Sequence, residues 1–292
     1  MFRSVVALSF CVAFALLAPL QAREATPPNG TLHPIIPGHY AYYSNGFVSG
    51  VIVTSDGVVV VDALGDEATA KDERQLIATT IKQPIKYLIS SSFHDNYSRG
   101  NTAYPDAVRL GHENYRMDLL NLMKGRPAAE QQARLPHLTF RDHLIIYPGG
   151  KEIRILHVGR AHTRGDSIVF VPADRIVYLS ELFFYDRFPW MADGYVNWIN
   201  AIDIALNLDA DIFVPAHGVL AADPRESRQA LIRFRQILVD ARDAVEKEIA
   251  RGATEDETAA AVLMPQYNGL NGYQQQREVV VRRIYRDLKS LL

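Results

Sequence analysis

Four short stretches put groups capable of acid-base or metal chemistry where apolar runs give way to polar turns. Leu88-Ile89-Ser90-Ser91-Ser92-Phe93-His94-Asp95-Asn96-Tyr97-Ser98-Arg99-Gly100-Asn101 carries a strand-like run into a polar loop with one histidine. His157-Val158-Gly159-Arg160-Ala161-His162-Thr163-Arg164-Gly165-Asp166-Ser167 holds His162 in a turn-rich segment. Arg175-Ile176-Val177-Tyr178-Leu179 runs into Ser180-Glu181, and Ile212-Phe213-Val214-Pro215-Ala216 runs into His217-Gly218. Two histidines with one carboxylate are a competent protein set for a single zinc ion, leaving one position for water, whose pKa then falls to roughly 7. Iron accepts the same donors. Without metal, such groups can satisfy one another by hydrogen bonds and line a polar cleft that binds a ligand.

The elements that must position these residues read as an α/β layer. Val51-Ile52-Val53-Thr54 and Val58-Val59-Val60-Val61 flank Asp56-Gly57 as a hairpin, and the second strand is continuously apolar, as a strand covered on both faces should be. Residues 66–82 have helical spacing and stop before Pro84; 85–89 is the strand feeding the His94 loop. A strand at 108–110 leads to His112 and a helix toward Met123, and 128–134 is helix-like. Residues 138–147 and 152–158 read as two strands joined at Pro148-Gly149-Gly150, followed by strands at 168–172 and 175–179 and a helix over 195–206. The remainder is helical: one helix opens at Asp223-Pro224 and runs to Gly252, Thr254 with Glu257 forms a capping box, and a last helix covers 274–292.

Taken in order, these segments resemble the metallo-β-lactamase superfamily over nearly the whole chain from Pro37. In that family a strand at this place ends in His-x-His-x-Asp-His. Here the pattern is degenerate: Ser92 stands for the first histidine, His94 keeps the second, Asn96 replaces the aspartate and Tyr97 the third histidine. Ala161-His162-Thr163-Arg164-Gly165-Asp166 is similar to the Gly-x-His-Thr-x-Gly-Asp loop, Ser180-Glu181-Leu182-Phe183 to the Gly-Asp-Leu-Phe element, and Pro215-Ala216-His217-Gly218 to the last histidine segment. The resemblance implies an αβ/βα four-layer sandwich with a C-terminal helical extension, and the extension resembles that of a secreted branch associated with quinoprotein and sulfur oxidation. It implies His94, His162, Glu181 and His217 as metal residues, Asp62 as a structural aspartate (or a cap or turn residue), and hydroxyls of Ser92 and Tyr97 that orient water or polarise a carbonyl. Asn96 would hold a ligand histidine by a hydrogen bond. If the loop register shifts by one residue, Asp95 is the alternative carboxylate. The neutral Asn96 and Tyr97 argue against a second metal ion, since nothing at those positions offsets a second dication.

The expected function is therefore a secreted hydrolase of a small ester, lactone or amide using at most one metal ion, zinc or else iron. The alternative is a non-catalytic, metal-free relative serving as a periplasmic ligand-binding or accessory protein. Residues 1–22, with Arg3 before the apolar run Val5 to Leu17, have the anatomy of a signal peptide; an uncleaved anchor is the other reading. The single cysteine, Cys11, lies within that run, so thiolate ligands and disulfides drop out of the mature chain, as suits a periplasmic or secreted protein. After the signal come a leader (23–38), a catalytic-type domain (39–222) and the helical extension (223–292) packed on it. A net charge of −2 with scattered basic residues leaves no footprint for nucleic acid or, after signal cleavage, for a membrane, so the expected partner is a small molecule. Of the other histidines, His157 reads as packed, His112 as solvated at a helix start, and His33, His39, His137 and His143 as surface or packing residues. Phe183, Phe184, Phe188, Pro189 and Trp190 are either an apolar substrate wall or core, and Trp198 reads as core.

Overall fold

The computed structural model describes residues 30–190 and 192–291, and the signal segment with Cys11 lies outside them. Strands β1 (Thr31–Ile36), β2 (His39–Ser44), β3 (Phe47–Thr54) and β4 (Gly57–Val61) pair antiparallel in sequence. Strands β5 (Ile85–Ser90), β6 (Val108–His112) and β7 (Leu138–Phe140) then add in parallel beyond β4. The other half contains β8 (His143–Ile146), β9 (Ile153–His157), β10 (Ser167–Val171) and β11 (Ile176–Phe184), antiparallel in turn, and β12 (Ile212–His217), parallel to β11. A backbone pairing between His217 and Phe47 joins the halves, so the ladder runs through 12 strands.

The helices are α1 (Glu67–Leu76), α2 (Asp95–Ser98), α3 (Glu113–Leu122), α4 (Ala128–Arg134), α5 (Tyr195–Leu206), α6 (Ser227–Ala250), α7 (Glu255–Ala261) and α8 (Tyr273–Lys289). Side-chain alternation explains why β4 is apolar throughout. Val59 and Val61 face inward with Ile52 and Ile89, against Ile155, Val169 and Val177 of the other half. Val58 and Val60 face outward under Ala70 of α1 and the following Ile77. Where the halves meet, the ring of Tyr178 lies on Gly50, whose Cβ, if present, would come within 2.3 Å of it. On the second half's outer side, Trp198 of α5 and Leu231, Phe234 and Leu238 of α6 complete the core, with Val280 and Ile284 of α8 behind them. This is the four-layer αβ/βα sandwich. Among the described residues no helix is long and apolar enough to cross a membrane.

Several boundaries differ from the sequence expectation. The leader contributes β1, paired with β2. The 138–147 run is two strands, because Phe140 ends pairing in the first half while His143 begins pairing with β9 in the second. The helix after Asp66 closes with a π-helical turn, Ile77–Ile81, and stops at Lys82 in the left-handed region (φ 60°) ahead of Pro84. A 3₁₀ turn, Pro224–Glu226, capped by Asp223, precedes α6. The capping box expected at Thr254 and Glu257 is present and opens α7.

Candidate metal centre

The ends of β4 and β5 and the middle of β11 are tied together by one buried carboxylate. Asp62, just past β4, accepts hydrogen bonds from the Ser91 amide (2.8 Å), the Ser91 hydroxyl (2.7 and 2.9 Å) and the Ser180 hydroxyl (2.6 Å). It thereby fixes where β5 releases the Ser92–His94 loop and where β11 presents Glu181. Asp62 and Ser180 both sit in the left-handed region (φ 65° and 49°), a conformation short polar side chains tolerate better than branched ones. Burial pushes the Asp62 carboxyl up to about 6.

Glu181 is the hub. The Ser92 hydroxyl and His94 Nδ1 (2.8 Å) both meet its Oε2, and His162 Nε2 lies 3.3 Å from its Oε1. The imidazoles of His94 and His162 stand edge to face, 5.0 Å between centroids. One ligand atom each from His94, His162 and Glu181 fall within 4.8 Å of one another. Burial favours a neutral Glu181, but the charges and hydrogen bonds of His162 and His94 outweigh it and hold the carboxyl well below its usual range. For His94, burial pulls the imidazole down, and the Glu181 charge and hydrogen bond more than offset this, so it is raised. His94 is the exposed member, its side chain 31% accessible, while His162 and Glu181 are buried. The cluster is thus reached from the His94 side.

The loop around His162 is locked by Asp166, which accepts from the Thr163 amide (2.7 Å) and hydroxyl (2.5 Å). Burial pushes the Asp166 carboxyl up to about 7. Gly165 lets this loop lie against α3, since a Cβ there would be 2.5 Å from the Tyr115 amide nitrogen. The His162 ring packs edge-on to Trp198 (5.1 Å) and Phe184 (5.7 Å), and the Trp198 indole N–H is fixed on the Leu182 carbonyl (2.9 Å). His162 Nδ1 is buried without a hydrogen-bond partner among the described residues, so on that side packing and the backbone set this ring, while Glu181 meets it at Nε2.

His217 is not among the three residues whose ligand atoms converge, although the Glu181 and His162 charges act on it. Its ring is held between Phe184 (4.4 Å) and Phe47 (4.9 Å), and burial pushes it down to about 4, a neutral imidazole at ordinary pH. Tyr97, fully buried, donates to the Ala216 carbonyl (2.9 Å) and lies 3.2 Å from His217 Nε2. Asn96 is exposed in the first turn of α2. Of the three replaced motif positions, Ser92 alone touches Glu181. Asp95 turns away: Arg134 (2.7 Å) and Arg99 (3.4 Å) hold its carboxylate.

The expectation of a solvated His112 does not hold. It is buried, caps α3 through the Asn114 amide (3.1 Å), reaches the Arg141 carbonyl (2.6 Å), and stacks on His157 at 3.7 Å. His39 is buried between the Tyr178 hydroxyl (2.9 Å) and Asp174 (2.8 Å). Phe183, Phe184 and Phe188 belong to the core, whereas Trp190 is 46% exposed. Sequence reasoning missed Ser91, Ser180, Asp166 and Asp193. The last donates its amide to the His162 carbonyl (3.0 Å), and its charge acts on His94. The Asp-Gly pair ahead of a helix was its only signal.

A profile described as the metallo-beta-lactamase superfamily matches residues 47–217, more than half of the chain. The alpha subunit of 2,4-dinitroanisole O-demethylase from Nocardioides sp. (strain JS1661) is 23% identical over 197 residues, covering 65% of this chain and 58% of that subunit. The stereoselective inverting sec-alkylsulfatase from Pseudomonas sp. superposes with a TM-score of 0.70 at 15% identity, over 87% of this chain and 49% of the sulfatase. A metallo-β-lactamase from Pseudomonas aeruginosa, solved in its mono-zinc form, superposes with a TM-score of 0.55 at 19% identity, over 70% of this chain and 94% of that enzyme. The chain thus spans little more than half of the demethylase subunit and about half of the sulfatase. At these identities the structural likenesses show the fold.

Proposed function

This chain belongs to the metallo-β-lactamase superfamily, and from that premise we propose that it is a hydrolase of a small ester, lactone or amide working with one metal ion. The observation that carries the reading is the convergence of His94 Nδ1, His162 Nε2 and the Glu181 carboxylate on one point reachable from the His94 side. Two imidazoles and one carboxylate fit a single zinc, or iron, and leave a position open. When bound, the ion supplies Lewis acidity and brings the pKa of water into the neutral range. Glu181 contributes the negative charge that offsets a dication in a buried place, and Ser92 fixes the orientation of its Oε2. Trp198 and Phe184 keep water from the inner side of His162. A second ion has little to hold it, since Asn96 is neutral and exposed and His217 is committed to an aromatic cage.

The two relatives named for O-demethylation and for alkyl sulfates both point to bonds at oxygen, which favours an ester or lactone over an amide. The N-terminal signature and the near-neutral charge favour a periplasmic or secreted protein acting on a small molecule, without nucleic acid or membrane as partner. A second reading, a metal-free ligand-binding protein, is favoured by one observation: Ser92, His94 and His162 all satisfy Glu181 without any ion.

Assays of the purified chain on nitrophenyl esters, lactones and anilides separate the two. The hydrolase reading expects turnover of an oxygen ester that a chelator removes, that zinc or iron restores, and that falls by at least about a thousandfold in the variant with His94→Ala and His162→Ala. Absence of turnover across the panel favours the metal-free ligand-binding reading, and turnover indifferent to chelation contradicts the metal ion of the first reading.

A further inference from the structure

Helix α8 reaches across α5 to the segment on which His162 is seated. The Arg283 guanidinium donates through Nη2 to the Asp193 carbonyl (2.7 Å), and its Nε faces Asp287 Oδ1 at 3.3 Å. The other oxygen of Asp287 accepts the Tyr195 amide (3.0 Å), the first residue of α5. The residue ahead of that helix, Gly194, has no side chain to cap it, so the terminal amide finds its acceptor 92 positions away. The anchored segment is in turn bonded to the metal centre. The Asp193 amide donates to the His162 carbonyl (3.0 Å) and the Gly194 amide to the Ala161 carbonyl (2.8 Å). One turn into α5, Trp198 packs against the His162 ring.

We propose that Arg283 and Asp287 are positioning residues of the metal centre, which makes the C-terminal extension part of the site. His162 has no hydrogen bond on its Nδ1 among the described residues to orient the ring. With Glu181 meeting only its Nε2, the ring's direction otherwise depends on its own backbone and on Trp198, and both of these hang on the 193–195 segment that Arg283 and Asp287 hold. Partners that orient a metal ligand are commonly worth about 10- to 100-fold in metal affinity, and here the orienting contact runs through the backbone. The inference rests on the one-metal reading above.

The test is a titration of the full chain with cobalt(II) or zinc, alongside thermal unfolding of the metal-free forms. Arg283→Ala is expected to weaken metal affinity by about tenfold or more, with Arg283→Lys intermediate, because an ammonium keeps the charge but not the two-sided guanidinium fork. Arg286→Ala is the control: Arg286 lies on the same helix but pairs with Glu255 of α7 (2.7 and 2.9 Å), so it is expected to leave affinity unchanged. If Arg283→Ala does not fold, Asp287→Asn, which removes the charge facing Arg283, replaces it with the same expected direction. Wild-type affinity in the folded variants, or an equal loss in Arg286→Ala, overturns the positioning role alone. Absence of metal binding in the unmodified chain overturns the metal centre itself, so the two failures are told apart.

Discussion

Glu181→Ala is expected to abolish metal binding, to lower any hydrolytic turnover by at least about a thousandfold, and to cost on the order of 3–5 kcal/mol of stability. The carboxylate is the common acceptor of Ser92, His94 and His162. Removing it takes away the charge and hydrogen bond that raise His94, so burial returns that imidazole toward its neutral form, and Ser92 and His162 are left as buried polar groups without their acceptor; breaking a buried ionic cluster by deleting one member costs more than the cluster contributes. Glu181→Gln keeps the shape and one acceptor oxygen while losing the charge, so it should retain most of the stability but not the metal. Denaturant unfolding with parallel elemental analysis reads both. An alanine variant as stable as the wild type would show that Glu181 is not the hub described.

The second large effect concerns a group far from catalysis. Glu73 of α1 is fully buried against β3, receiving the Ser49 hydroxyl (2.5 Å) and the Tyr104 hydroxyl (2.7 Å). Burial pushes its carboxyl up to about 8, above the 4.5 of an ordinary glutamate. Between those values the folded chain keeps a proton that the unfolded chain has given up. Stability contributed by Glu73 is therefore complete below pH 4.5 and is lost as pH rises, at about 1.4 kcal/mol per unit, until the folded group itself ionises near 8. Asp62 and Asp166, also raised, act with the same sign over narrower ranges, so the variant must be compared with the wild type at each pH. Glu73→Gln is expected to be near neutral or slightly destabilising at pH 5 and more stable than the wild type by about 2–4 kcal/mol at pH 8.5. Parallel pH-stability curves for the two proteins would contradict this.

Much of the architecture was legible because local signals and burial agreed. The Asp56-Gly57 turn between two apolar runs, the capping box at Thr254 and Glu257, and the proline-opened turn at Pro224 each carry their own physical instruction. The split of 138–147 was not legible, because both pieces are strand-like and the crossing from one half to the other is set by partners far away in sequence. At the site, His94, His162 and Glu181 were singled out by the resemblance of their local segments to the family's motifs, which short stretches of sequence carry by themselves. The separation of His217 was invisible, since it depends on Phe47, Tyr97 and Phe184 arriving from three other segments. Asp95 shows the same limit: its neighbours in sequence do not reveal that Arg134 will claim it. The roles of Asp193, Arg283 and Asp287 come from tertiary contacts between helices, which leave no periodic trace.

The claim beneath all of this is that the chain holds one metal ion at His94, His162 and Glu181. Elemental analysis of protein purified without chelator, beside the variant with His94→Ala and His162→Ala, tests it most directly. The account predicts about one zinc or iron per unmodified chain and none in the variant. No metal in either protein, with thermal unfolding unmoved by added zinc, would contradict it and leave Glu181 as the centre of a ligand-binding cleft.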